Sequence, residues 1–100
     1  MFVELYEYEI KPGMKEEWEI FMRERAVPYQ TECGMRVVGQ YWVDGDDTRF
    51  VWMRAFEDAA ERDALYAAVY ESDHWVQEMR DEVWRLAVKG SGRTTRLIPV

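Results

Sequence analysis

The sequence predicts an α+β protein of the ferredoxin-like class, a β-α-β-β-α-β sandwich whose second helix is split in two. Three observations predict it. A strand-like alternation over residues 2–10 gives way to helical spacing over 14–33; two further strand patterns flank the turn "DGDD"; and two helical stretches precede a short closing strand. A chain of 100 residues has room for one hydrophobic core, so we expect one domain over residues 1–100.

The first strand and helix have clear boundaries. Residues 2–10 are rich in aromatic and β-branched types, and the breaker "KPG" follows them. The helix over 14–33 has an apolar residue every three or four positions and acids in its first turn, where the helix dipole favours them. Pro28 disfavours helical geometry at the preceding residue, so we expect a kink or an interruption there. Gly34 suits the position after the helix C-terminus.

The two central strands, residues 35–43 and 48–56, form a predicted hairpin around "DGDD". Both carry large apolar residues on two faces. We predict that the helices cover one face, and that Trp42, Trp52 and Phe56 lie on the other. The helix-packed face is predicted to hold a set of tyrosines, namely Tyr6, Tyr8 and Tyr41.

The second half of the chain supplies the split helix and the last strand. Asp58 is a predicted N-cap, and Glu61 three residues later completes a box-like start to an Ala-rich helix. A further helix begins at Ser72 or Asp73 and ends at "KGSG". The final segment, "RTTRLIPV", is predicted to be a short strand at an edge, since it contains proline.

A sheet covered by helices on one side leaves an apolar patch on the other, and such a patch marks an association or ligand surface. We therefore expect a homodimer in which two sheets face each other across a two-fold axis, enclosing an aromatic lumen. Two arginines on this face would hold the anionic end of a ligand or pair with acids of the first strand. The predicted ligand-binding residues are Trp42, Trp52, Arg54, Arg36, Glu7 and Phe56.

Composition excludes several functions. The formal net charge of −7 argues against nucleic acid and anionic membranes as partners. One cysteine and one histidine give no paired metal ligands, so we expect neither a metal site nor a cofactor. No apolar run is long enough to span a bilayer, and the N-terminus does not have the pattern of a signal peptide, so a cytoplasmic location is expected.

Four segments carry a family resemblance. In this order, "ELYEYEIKPG", "GMRVVGQYW", "FVWMRAFEDAAERDALYAA" and "HWVQEM" resemble a NIPSNAP-type domain of the dimeric α+β barrel group, over nearly the whole chain. Many relatives have arginine after "EL", where this chain has Tyr6, so a role of that arginine is not carried over. The resemblance implies the barrel fold, in a family mostly without an assigned reaction. Its barrel relatives include cofactor-free antibiotic-biosynthesis monooxygenases, polyketide cyclases, muconolactone-type isomerases and haem-degrading monooxygenases.

His74 is the candidate acid or base. It lies in the first turn of a helix beside Ser72 and Asp73, which would orient it for proton transfer. A haem-degrading relative would use a helix histidine as iron ligand, but such enzymes resemble one another in an Asn-Trp-His group, and this chain has no asparagine. His74 is otherwise a surface residue.

Three hypotheses follow. The first is a small-molecule protein whose ligand is flat, apolar or aromatic and partly anionic, with isomerase, cyclase or cofactor-free monooxygenase chemistry. The second is a structural homodimer without catalysis, in which Trp42 and Trp52 only fill the interface. The third is haem binding or degradation through His74.

Overall fold

The computed structural model describes all 100 residues of the chain and has the predicted order of elements. The strands are β1 (Phe2–Glu9), β2 (Arg36–Trp42), β3 (Arg49–Phe56) and β4 (Arg93–Leu97). The α-helices are α1 (Lys15–Phe21), α2 (Val27–Glu32), α3 (Ala59–Tyr70) and α4 (Arg80–Leu86). Two π-helical segments, Met22–Ala26 and Trp75–Met79, precede α2 and α4.

The four strands form one antiparallel sheet in the order β2-β3-β1-β4, with the helices on one face. This order and the alternation of strands and helices confirm the ferredoxin-like α+β fold. The core lies between that face and the helices, with Trp18, Phe50, Phe56 and Leu86 among its most buried residues. None of the helices has the length and the apolar character needed to cross a membrane.

The chain remains helical through Pro28. Val27 has helical φ and ψ of −65° and −46°, and its N–H bonds the carbonyl of Met22, five residues earlier. The interruption expected at this proline therefore takes the form of a π-helical segment. A wider turn accommodates a residue that has no N–H to donate and whose ring would clash with a carbonyl four residues back.

Local capping signals act as predicted in the second half. The side chain of Asp58 accepts a hydrogen bond of 2.8 Å from the backbone N–H of Glu61 at the start of α3. The Ser72 hydroxyl accepts one of 3.1 Å from the N–H of Trp75, where the next helical stretch begins. These caps satisfy N–H groups that have no partner inside the helix.

The predicted face of β3 is wrong. In the β1–β3 register Glu4 pairs with Arg54 and Tyr6 with Trp52. Directly opposed side chains of an antiparallel pair share a face. Trp52, Arg54 and Phe56 therefore lie on the helix-packed face with Tyr6, and all three are at most 2% exposed. The pattern of β3, which is apolar on both faces, does not reveal which face the helices cover.

On β2 a β-bulge changes the alternation. The register with β3 shifts between Val37 and Gly39, so the residues beyond it point to the opposite side from that expected. Tyr41 pairs with Val51 and lies on the face without helices, contrary to the prediction. Trp42 pairs with Phe50, and its ring packs against that phenylalanine at 5.3 Å. Trp42 is thus also on the helix side.

The face without helices, called here the open face, is largely apolar. Tyr41 and Leu97 are exposed on it, and the other apolar residues are partly exposed or, for Ala55, buried. The strand registers place on it the apolar or aromatic residues Val3, Leu5, Tyr41, Val51, Met53, Ala55 and Leu97, and the polar or charged residues Glu7, Glu9, Arg36, Arg49, Arg93 and Thr95.

Candidate functional site

A pocket of about 380 Å³ opens between β1 and the helices of the second half of the chain. We call it the tyrosine pocket. Seven of its eight lining residues are apolar or aromatic, and the eighth is an arginine. They are Tyr6, Tyr8, Tyr66, Tyr70, Trp75, Arg80, Val83 and Trp84.

The regular spacing of residues along β1 and α3 brings four of the tyrosine rings to this pocket. Tyr6 and Tyr8 are two residues apart on β1 and face the helices together, with ring centroids 4.8 Å apart. Tyr66 and Tyr70 are one helical turn apart on α3, and their rings are 5.1 Å apart. Trp75, from the second π-helical segment, meets Tyr70 edge to face at 4.9 Å. The walls are therefore flat aromatic surfaces held by packing.

Arg54 is buried beneath the phenols of this pocket. It is 1% exposed, and its guanidinium lies 4.4 Å from the ring centroid of Trp52. Nη1 donates hydrogen bonds to the Tyr70 hydroxyl at 2.7 Å and to Gln30 Oε1 at 2.9 Å, and Nη2 donates to the Tyr66 hydroxyl at 2.8 Å. A buried cation is held in this way by phenols and an amide rather than by direct contact with a carboxylate.

Glu4 is the buried anion of the same network and is also 1% exposed. Its Oε1 accepts a hydrogen bond of 2.5 Å from the Tyr66 hydroxyl, and its Oε2 accepts one of 2.8 Å from Arg62 Nε. Arg62 also stacks on the ring of Tyr66, 3.7 Å from its centroid. Tyr66 therefore bridges two buried groups of opposite charge, Glu4 and Arg54.

Burial fixes the charge state of these groups. Desolvation raises the pKa of Tyr66 and Tyr6, and raises that of Tyr8 well above its ordinary value. For Arg54, burial alone would lower the pKa, but Tyr70 and Tyr66 outweigh it and the net shift is upward. At neutral pH Tyr6, Tyr8 and Tyr66 are neutral and Arg54 is charged.

The pocket has one polar end. The Tyr70 oxygen accepts hydrogen bonds from Arg54 and, at 3.1 Å, from Gln30 Nε2. Its own hydrogen is then the one it can donate to a group in the pocket. The arrangement suits a flat apolar body with an electron-rich oxygen at one end.

The structure does not bring the predicted ligand-binding residues together. Arg54 belongs to the network beneath the tyrosine pocket, whereas Trp52 and Phe56 are core residues. Trp42 lies elsewhere, where its indole N–H donates to Glu19 at 2.8 Å and Lys15 lies over its ring.

The two remaining members of that set have separate surface partners. Arg36 pairs with Glu61 at 2.7 Å and with Glu57 at 3.8 Å, rather than with an acid of β1. Glu7 lies on the open face and pairs with Arg49 at 3.4 Å.

His74 lies outside the tyrosine pocket. It is exposed, its ring is 4.5 Å from that of Tyr29, and it lines a shallow groove beside α2 with Glu32 and Glu78. No three His, Cys, Asp or Glu side chains are grouped so that they would hold a metal ion.

Sequence reasoning missed the residues that form the network with Arg54. The sequence did contain a signal for two of them, since the four-residue spacing of Tyr66 and Tyr70 places both side chains on one face of a helix. Glu4 shares a strand face with Tyr6 and so was expected near the helices, but no pattern indicated that its charge would be buried. Gln30 carried no signal.

Comparisons with known proteins agree on the fold. The family model described as NIPSNAP matches residues 3–99. A NIPSNAP family protein of Agrobacterium tumefaciens has a similar structure, with a TM-score of 0.86 and 20% identity, over 99% of this chain and 92% of that one. An uncharacterised NIPSNAP domain protein of Burkholderia xenovorans gives 0.84 and 22%, over 100% and 95%.

A third similar structure carries an activity in its name. It is an antibiotic biosynthesis monooxygenase, with a TM-score of 0.72 and 17% identity over 100% of this chain and 99% of that one. At such low identity the likeness shows the fold alone. None of the curated proteins compared with the chain matches it.

Proposed function

The chain belongs to the NIPSNAP family, and we propose that it binds a flat, apolar or aromatic, partly anionic small molecule in the tyrosine pocket. The aromatic rings of Tyr8, Trp75 and Trp84 would stack against the body of the ligand. Its oxygen would accept a hydrogen bond from Tyr70. Arg80, at the wall of the pocket, adds a positive charge.

The observation that carries this proposal is the burial of Arg54 beneath the pocket. Removing a guanidinium from water costs several kcal/mol, which a structural core avoids by using an apolar residue. Here the cation is instead held by the oxygens of Tyr66 and Tyr70, two residues that also line the pocket. Negative charge that develops on a ligand oxygen would be stabilised by Tyr70 with Arg54 behind it.

This electrostatic arrangement suits reactions that pass through an enolate or a phenolate. Isomerisation, cyclisation and cofactor-free monooxygenation of an aromatic or polyketide-like compound all begin in this way. A protein of the same fold is named an antibiotic biosynthesis monooxygenase, and here the residues of the pocket would supply the electrostatic part of such chemistry.

We also propose that the chain is a homodimer through the open face. Val51 and Met53 are partly exposed on the central strand of that face, and Tyr41 is exposed beside them. An apolar sheet face of this kind is normally covered by another layer. The pair Glu7–Arg49 provides a polar rim. The tyrosine pocket lies on the opposite side of the sheet, so binding and dimerisation use separate surfaces.

The test is a ligand titration with paired variants. Hydroxylated naphthalenes and aromatic 1,3-diketones are added to the protein while tryptophan fluorescence is followed. We expect saturable quenching, and about tenfold weaker binding in Tyr70→Phe, the value of one lost hydrogen bond. Tyr41→Phe, on the open face, is the matched control and should bind as the wild type does. A flat response to every compound would favour the structural dimer.

A further inference from the structure

We propose that Glu4, acting through Tyr66, removes a proton from the ligand, and that the substrate is a carbonyl compound with an acidic hydrogen beside the carbonyl. This inference rests on the proposed function, since it concerns a ligand in the tyrosine pocket. It assigns the chemistry to a carboxylate and a phenol rather than to His74.

The buried network gives opposite roles to the two hydroxyls of α3 that line the pocket. Tyr70 accepts from both Arg54 and Gln30, so it has a hydrogen left to donate. Tyr66 donates its hydrogen to Glu4 and accepts one bond from Arg54. One lone pair of the Tyr66 oxygen then remains for a ligand hydrogen.

This polarity selects a ligand that presents an acceptor to one hydroxyl and a hydrogen to the other. The hydroxyl oxygens of Tyr66 and Tyr70 both contact the same guanidinium, at 2.8 and 2.7 Å, so they lie close together. A carbonyl oxygen at Tyr70 and the hydrogen of the neighbouring carbon at Tyr66 satisfy both. Flat aromatic 1,3-diketones have this pattern and match the apolar walls.

The proton transfer balances within the protein. The substrate C–H bond breaks and its proton passes to the Tyr66 oxygen, while the hydrogen of Tyr66 passes to Glu4 Oε1 over 2.5 Å. The electron pair moves onto the carbonyl oxygen and forms an enolate, which Tyr70 and Arg54 stabilise. Return of the proton to a different atom completes an isomerisation, and no oxidant or metal takes part.

Several cationic groups surround Glu4. Arg62 of α3 donates to it at 2.8 Å, and Arg96 of β4 lies 3.9 Å away. Arg54 faces it across the β1–β3 pair. Tyr66 is the group between Glu4 and the pocket. Glu4 is therefore a positioning and proton-accepting residue that acts through Tyr66.

The experiment measures deuterium exchange into benzoylacetone, a flat aromatic 1,3-diketone, by NMR in D₂O. We expect wild-type protein to accelerate exchange at the carbon between the carbonyls over the buffer rate. Glu4→Gln should lower this acceleration by about 100-fold or more, the usual contribution of a general base. Tyr66→Phe, which keeps the ring, should do the same. Glu9→Gln, exposed on the same strand, is the matched control.

A pH profile separates proton transfer from a structural effect. The pH dependence of the exchange rate should differ between wild-type protein and Glu4→Gln, and it should be unchanged in the control Glu9→Gln. Fluorescence titration of the same compound gives its affinity for each variant. Binding without accelerated exchange, or full exchange in Glu4→Gln or Tyr66→Phe, would overturn the relay alone. Absence of benzoylacetone binding to wild-type protein would overturn the proposed substrate of the relay, and the proposed function would fail with it only if the hydroxylated naphthalenes also gave a flat response.

Discussion

Tyr66→Phe removes one oxygen atom from the centre of the buried network. That oxygen donates to Glu4 at 2.5 Å and accepts from Arg54 at 2.8 Å. The phenylalanine ring fills the same volume, so the packing against Phe56 at 6.1 Å and against Tyr70 at 5.1 Å remains. The substitution therefore isolates the hydrogen bonding of the hydroxyl from the burial of the ring.

The magnitude follows from the groups that lose a partner. Leaving a buried donor or acceptor unsatisfied costs about 1–3 kcal/mol, and more when the group is charged. Glu4 keeps its hydrogen bond from Arg62, and Arg54 keeps those to Gln30 and Tyr70, so each buried charge retains at least one hydrogen-bond partner. We expect a loss of about 3 kcal/mol in the free energy of unfolding. For a domain of this size that lowers the melting temperature by on the order of 12 °C or more.

The assay is urea unfolding followed by circular dichroism, with Tyr41→Phe as the control. Tyr41 is exposed on the open face, and losing its hydroxyl should change stability by less than about 0.5 kcal/mol. If Tyr66→Phe were as stable as Tyr41→Phe, the hydrogen bonds of the Tyr66 hydroxyl to Glu4 and Arg54 would not stabilise the fold.

Three further predictions concern the pH dependence of stability, ligand affinity and the oligomeric state. Burial raises the pKa of Tyr8, so the unfolded chain loses that proton first. The contribution of Tyr8 to stability should be constant below pH ~10 and should fall as pH rises above it. In urea midpoints measured against pH, the fall in alkaline solution should be smaller for Tyr8→Phe. In Gly92→Ala the added carbon would clash with the hydroxyl of Tyr6, a residue that lines the tyrosine pocket, so ligand affinity should fall. Gly39→Ala, whose added carbon meets the ring of Tyr41 on the open face, should bind normally. Sedimentation should give twice the 12.0 kDa chain mass at micromolar concentration, and Met53→Lys should return it to the monomer; a wild-type monomer would refute the dimer.

The order of elements was predictable because each element is specified locally. The spacing of apolar residues predicted the helix over 14–33, and Asp58 with Glu61 predicted the start of α3. These signals depend on interactions within a few residues. The structure confirms them, with a π-helical segment where Pro28 required an adjustment.

The faces of the central strands were not predictable in the same way. Which face of β3 the helices cover depends on its register with β1, whose paired residues are 40 to 54 positions away, and both faces of β3 carry apolar residues. The bulge between Val37 and Gly39 then reverses the alternation of β2 without a clear sequence signal. The β1–β3 register places Trp52 and Arg54 in the core rather than in the predicted lumen, and the bulge places Trp42 on the helix side and Tyr41 on the open face.

The candidate site was missed because burial of charge runs against the hydrophobic pattern. Arg54 and Glu4 would each be assigned to solvent by composition alone. They are buried because Tyr66 and Tyr70, from an element distant in sequence, supply hydrogen-bonding partners. Only the tertiary arrangement reveals that these four residues meet.

The most direct test of the central claim is a crystal structure with a bound hydroxylated naphthalene or benzoylacetone. We expect the aromatic body of the ligand in the tyrosine pocket, packed on Trp84, with its oxygen within hydrogen-bond distance of the Tyr70 hydroxyl and Arg54 behind it. A ligand found between the open faces of two subunits, with the tyrosine pocket empty, would contradict this account.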